Sequence, residues 1–197
     1  MYLNSSFLLT ATAGLLLAAQ AYADDTSLYA ETPPEDAAFV RFIGFEGTET
    51  AQFSGRDFDL RNVDENAYLP VSVSTLNGVA AGSFLSVLKD QDQTKVIEEA
   101  ARDTRAKVHL FLVNGTDTPL DLRLADNTAT VLDGIETGLS GTRAVNPVSV
   151  SLGVFPDKGT APIAVFDVTL KRGQNVSFVA DASGVQMIEN TFGPVIK

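Results

Sequence analysis

The sequence predicts an all-β protein made of two tandem Greek-key β-sandwich domains, related by an internal duplication and preceded by a cleaved signal peptide. Three observations carry that prediction. From residue 37 onward the chain is written in short alternating apolar and polar runs separated by Gly, Asn and Asp, the pattern of half-buried strands joined by tight turns. Short motifs recur in the same order in the two halves, which is the mark of a repeated module. Cysteine is absent, so the fold has no disulfides and must be held by packed apolar faces.

The elements follow in order. Residues 1–23 read as a signal peptide: LLTATAGLLLAAQ (8–20) is an apolar run too short to span a bilayer comfortably, and Ala21-Tyr22-Ala23 is a small-residue cleavage pattern with Asp24 and Asp25 directly behind it. The segment before the run carries no Lys or Arg, only the terminal amine, a departure from the usual signal. Residues 24–99 form the predicted N-terminal sandwich. It begins with an arm containing Tyr29, Pro33 and Pro34; proline cannot donate to a sheet ladder, so the arm is read as lying along the domain. In AAFVRFI (37–43), Phe39, Arg41 and Ile43 share one strand face while Ala38, Val40 and Phe42 share the other. Residues 100–105, inside the charged, Ala-rich KVIEEAARDTRAK (95–107), are the predicted linker, and residues 106–197 the C-terminal sandwich.

Four matches support duplication. RFIGFEGTET (41–50) lies over HLFLVNGTDT (109–118), PVSVS (70–74) recurs at 147–151, Gly82 lies over Gly173, and Ile97-Glu98 over Ile188-Glu189. The growing offset calls for insertions in the second copy, the first of them around residues 132–145.

The formal net charge is −11, without a basic stripe, which excludes nucleic acid and opposes other polyanions. Catalytic constellations are missing. His109 is the sole imidazole, and alternation in KVHLFLV puts it on the outer face, a solvated polar side chain without nucleophile or orienting acid. With one His and no Cys, transition-metal ligation has no donor set, and Asp57, Asp59, Asp90 and Asp92 lack the frame of a calcium loop. No catalytic residue, metal or cofactor is therefore expected. Phe39 and Arg41 share a face suited to protein contact, and with Tyr29, Pro33 and Pro34 they form the predicted partner-contact set. The alternative is a carbohydrate-binding sandwich using Tyr29 and Tyr68 as stacking platforms in a chain without Trp.

The residues also resemble a known family. Leu28-Tyr29 followed by prolines and Ala38-Phe39-Val40-Arg41, then Asn146-Pro147-Val148 opening an alternating strand, then VTLKRGQNVSFV (168–179), resemble the periplasmic alginate O-acetylation accessory family, AlgF. The resemblance implies a periplasmic protein of two β-sandwiches without catalysis of its own, required for acetylation of alginate. The partners it implies are periplasmic SGNH-type alginate O-acetyltransferases and, as a further candidate, the membrane-bound O-acyltransferase. The mature chain would not insert into the membrane. Its negative charge would be repelled by a polyuronate, so direct polysaccharide binding is disfavoured.

Overall fold

Val108–Asn114 reads VHLFLVN, and all seven of its side chains are buried. A strand in a two-layer sandwich has one wet face, so such a run needs cover on both sides. The computed structural model, which describes residues 31–90, 93–100, 102 and 106–197, supplies that cover by stacking four sheets face on face. The predicted signal peptide, Leu28, Tyr29 and, in the predicted linker, residues 101 and 103–105 lie outside the described residues.

The first half contains β1 (Ala37–Ile43), β2 (Thr50–Phe53), β3 (Arg56–Asp59), β4 (Leu69–Ser72), β5 (Phe84–Asp90) and β6 (Gln93–Glu99). The second contains β7 (Val108–Asn114), β8 (Leu120–Leu124), β9 (Thr130–Ile135), β10 (Ser140–Val145), β11 (Ser149–Pro156), β12 (Ala164–Thr169), β13 (Asn175–Asp181) and β14 (Gly184–Glu189). The inner sheets have the orders β4-β1-β5-β6 and β10-β7-β13-β14, and the outer layers are the β2-β3 hairpin and the sheet β12-β11-β8-β9. In each half the central pair, β1 with β5 and β7 with β13, is parallel. Parallel neighbours need a crossover, and here the crossover builds the outer layer before the chain returns.

The stack has three cores. Ala38, Val40, Phe42, Leu85 and Val87 pack against Ala51 and Phe58 of the β2-β3 hairpin. Leu110, Leu112 and Phe178 pack against Leu122, Leu152 and Val154 of the outer sheet. Between the halves, Ile43, Leu88 and Ile97 meet Val113, Val179 and Ile188. Each such fully buried aliphatic side chain contributes about 1.5–3 kcal/mol relative to exposure. The halves approach closely: a Cβ on Gly115 would stand 2.8 Å from Leu88 Cδ2 and 3.0 Å from the Ala180 carbonyl oxygen. Lys95 Nζ also donates across the junction to the Gly115 carbonyl at 2.8 Å.

The duplication is visible in matching backbone contacts. Gly82 N donates to Ala37 O (2.8 Å) and Gly173 N to Lys107 O (3.1 Å), with both glycines at positive φ, 81° and 79°. The two carbonyl acceptors lie at the start of equivalent inner strands, Ala37 as the first residue of β1 and Lys107 directly before β7. Ile97 and Ile188 are equivalent on β6 and β14, each opposite its serine, Ser86 or Ser177.

Four details of the sequence reading are corrected. The match of 41–50 over 109–118 is two residues out of register, because Arg41 pairs with Ser86 and Phe111 with Ser177, which makes Arg41 equivalent to Phe111 and Gly44 equivalent to Asn114. The PVSVS segments are not equivalent: the first lies in β4 and the Val73–Thr75 turn, the second leads into β11 of the outer sheet. The counterpart of β4 is β10, because both pair antiparallel with the first strand of their half. The main insertion is therefore the β11-β12 hairpin, not the stretch around residues 132–145. Finally, His109 is 3 % exposed rather than solvated, because the face of β7 that alternation sends outward is covered by the first half.

Beyond β14 the chain crosses back to the first half. Residues 191–197 run parallel to β4, with Tyr68 N donating to Thr191 O, Gly193 N to Tyr68 O and Ile196 N to Pro70 O, each at 2.9 Å. This tail covers the β4 edge of the inner sheet, which would otherwise present unpaired backbone groups.

Candidate functional site

Arg41 belongs to the predicted contact set, and it is 0 % exposed. It lies on the β1 face turned toward the second half, where each of its three guanidinium nitrogens donates a hydrogen bond. Nε donates to Ser86 Oγ (2.7 Å), Nη1 to Asn190 Oδ1 (2.9 Å), and Nη2 to Glu99 Oε1 (2.8 Å) and Ser177 Oγ (3.0 Å). Glu99 Oε1 also accepts from Tyr68 OH (2.7 Å) and Ser86 Oγ (2.6 Å). A buried ion pair needs its remaining donors and acceptors met by polar partners, and here residues from both halves engage all three guanidinium nitrogens, while Asn190 Nδ2 stays buried without a partner among the described residues.

Arg102 closes the cluster from the junction between the halves. Its Nη2 donates to Tyr68 OH at 2.6 Å, and its guanidinium carbon lies 3.9 Å from the Phe84 ring centroid and 4.3 Å from that of Phe111. Phe39, half-buried, stacks on Phe84 at 4.6 Å, and Phe192 of the tail meets both rings edge-on. Burial pushes the Tyr68 phenol well above its ordinary pKa, with the Arg41 charge opposing that shift, so it stays a neutral donor to Glu99.

These placements redistribute the predicted residues. Phe39, Val40 and Arg41 fall within the packed body, and an exposed contact role for Arg41 does not match its full burial. Pro33 is exposed and Pro34 half-buried, with Pro34 O accepting from Ala37 N at 3.0 Å to turn the chain into β1. Asn146 and Pro147 are exposed at the entry to β11, where Asn146 Oδ1 accepts from Lys107 Nζ at 2.5 Å. Ser86, Glu99, Ser177, Asn190 and Arg102 were missed. Their signal was present in the repeat, since Ser86 and Ser177 are equivalent polar residues in otherwise apolar strands and share the Arg41 face.

A second feature lies at the far end of β1. The turn 44–49 and the connection 60–68 enclose a pocket of about 320 Å³ floored by Phe42, Phe45, Leu60, Val63 and Leu69. Its rim carries Glu46, Glu49, Asp64 and Glu65, all exposed. Arg61, also in the lining, is bound by Asp59 (Nε to Oδ1, 2.9 Å), whose carboxyl that contact holds at about 2. The walls are set by backbone: Thr48 N donates to Phe45 O (2.9 Å), Leu60 N to Glu49 O (2.8 Å), and Asn66 adopts φ 63°. Among the described residues, no group of three or more acidic or imidazole side chains could hold a metal ion, and no helix is long and apolar enough to cross a membrane.

Comparison with known proteins bears on both halves of this architecture. A family model described as "Alginate O-acetyl transferase AlgF" matches residues 12–177, from before β1 into β13. The alginate biosynthesis protein AlgF of Pseudomonas syringae pv. tomato is 25 % identical over 192 residues, covering 87 % of this chain and 83 % of the relative. The protein of the same name from Pseudomonas putida is 27 % identical over 204 residues, covering 95 % and 91 %. A solved C-terminal domain of AlgF from P. aeruginosa shares 25 % identity over 43 % of this chain and 96 % of its own, with a TM-score of 0.37, too weak a likeness to bear on the fold. With the family match running through both modules, the chain belongs to the AlgF family and has its role in alginate biosynthesis and O-acetylation.

Proposed function

We propose that this chain is a non-catalytic periplasmic adaptor for alginate O-acetylation, exported by residues 1–23 and presenting its docked sandwiches to acetyltransferase enzymes. The observation that carries this reading is the sealing of the polar cluster around Arg41. Acetyl transfer through the protein would need a nucleophile that both an acetyl donor and a sugar hydroxyl can reach. Ser86 and Ser177 are 0 % exposed and already hydrogen-bonded to Glu99 and Asn190. His109 is buried on the same side of β7, its ring centroid 6.3 Å from that of Phe111. The family description names a transferase, and this reading assigns that activity to the partners: the SGNH-type acetyltransferases and the membrane-bound O-acyltransferase. Direct polysaccharide binding is the weaker reading, since Tyr68, one of its two stacking candidates, is 0 % exposed.

Deleting the gene in a producing strain is expected to strip acetyl groups from the secreted alginate. Protein recovered from the parent strain should show an unmodified intact mass. A hydroxylamine-sensitive acetyl adduct on the recovered protein would overturn the non-catalytic role.

A further inference from the structure

Two features of the first half set the pocket at the end of β1 apart from the corresponding end of β7. In the second half, Asn114 ends β7 and its side chain draws the following turn shut: Nδ2 donates to Thr118 O and Ile135 O, both at 2.8 Å, while Oδ1 accepts from Thr116 N at 3.0 Å. The position after Ile43 in the first half is Gly44, at φ 81°, which has no side chain to make those bonds. The connection from β9 to β10 is also short, residues 136–139, whereas the one from β3 to β4 runs over residues 60–68 and forms the second wall. The opening is thus a local difference between two otherwise similar modules, built from backbone-anchored turns.

Its chemistry selects an occupant. A volume of about 320 Å³ is at the small end of ligand sites, roughly 300–1,000 Å³, room for one or two large side chains rather than a polymer strand. The floor is apolar and aromatic, and Lys89 Nζ already lies 5.7 Å from the Phe45 ring centroid, so this ring accepts a cation. Four carboxylates line the rim, with the lining cation Arg61 tied to Asp59, which disfavours a polyuronate and favours positive charge. The described chain enters β1 from the opposite end of the strand, so the arm near Pro34 does not emerge at the pocket.

We infer that this pocket docks a partner protein segment in which an apolar or aromatic side chain is flanked by Lys or Arg. The inference rests on the adaptor reading for the identity of that partner, a periplasmic O-acetyltransferase, but not for the chemistry of the pocket. Two probes separate the claims. The first is a blocked Lys-Lys-Phe-Lys-Lys peptide titrated into isotope-labelled full mature chain. Saturable shifts of the Gly47 and Asn66 amides are expected, and they should disappear in Glu46→Lys/Asp64→Lys, a pair of exposed substitutions. The second is a purified SGNH-type acetyltransferase, measured by calorimetry against wild type, against that variant, and against Asp133→Lys/Glu136→Lys, which makes the same charge change in the second half. The pocket variant is expected to lose at least tenfold in affinity and the control less than twofold. Equal losses in both variants, or wild-type binding by the pocket variant, would overturn the pocket while leaving the adaptor role standing. Peptide shifts without any enzyme binding by wild type would sustain the basic-apolar specificity and remove the acetyltransferase as its partner; neither signal would remove both.

Discussion

Replacing Arg41 by alanine is expected to lower the unfolding free energy by about 3–5 kcal/mol, the cost of leaving a buried partner charge uncompensated. The size follows from the geometry. Glu99 has no exposed side-chain surface, and Arg41 is its close cationic partner at 2.8 Å, while Arg102 contacts its other oxygen at 3.4 Å. Ser86, Ser177 and Asn190 would lose a donor together with Glu99. Removing both charges should cost far less, because apolar residues of similar volume can replace a buried pair at little or no loss. Urea unfolding of Arg41→Ala, Glu99→Leu and Arg41→Met/Glu99→Leu checks this: the double variant should be more stable than either single one. A loss below about 1 kcal/mol in Arg41→Ala would mean that water reaches Glu99 and the junction is not sealed.

Removing residues 191–197 is expected to lower stability by about 2–4 kcal/mol, from three backbone hydrogen bonds at about 0.5–1.5 kcal/mol each and the partial burial of Ile196. The larger consequence concerns association. With the tail gone, β4 becomes a bare edge beside an apolar core, a template for pairing with a second copy. Size-exclusion chromatography should show concentration-dependent oligomers of the truncated chain where the full chain gives one species. Full-length Ile196→Ser, which keeps the backbone bonds, should lose part of the stability without associating. Unchanged stability and elution after truncation would show that the tail does not hold the halves together.

The residues explain which parts of this arrangement were legible beforehand. In AAFVRFI the alternation assigned both faces correctly, since Ala38, Val40 and Phe42 do enter the first core while Ile43 enters the junction. What alternation cannot encode is whether a strand's second face is covered. That is why VHLFLVN suggested an outward His109, although both of its faces are buried. The two PVSVS segments show the same limit, since identical local patterns serve in an inner sheet and at the entry to an outer one. Gly82 and Gly173 carried the duplication more reliably, because a positive φ at the start of a strand is a backbone demand that few residues meet. The Arg41 cluster was hidden by distance along the chain, as its Ser177 and Asn190 partners lie 136 and 149 residues away. The pocket was written as a missing side chain, Gly44 where the second copy has Asn114, which becomes readable only after the strands are placed in register.

The proposed adaptor acts in O-acetylation by binding the enzymes that perform it. Calorimetric titration of the purified mature chain with a purified periplasmic SGNH-type alginate O-acetyltransferase, at physiological ionic strength and beside a parallel titration with mannuronate oligomers, tests it most directly. Saturable binding of the enzyme, with no saturable heat from the oligomers, is the expected result; saturable binding of the oligomers with no binding of the enzyme would contradict the account.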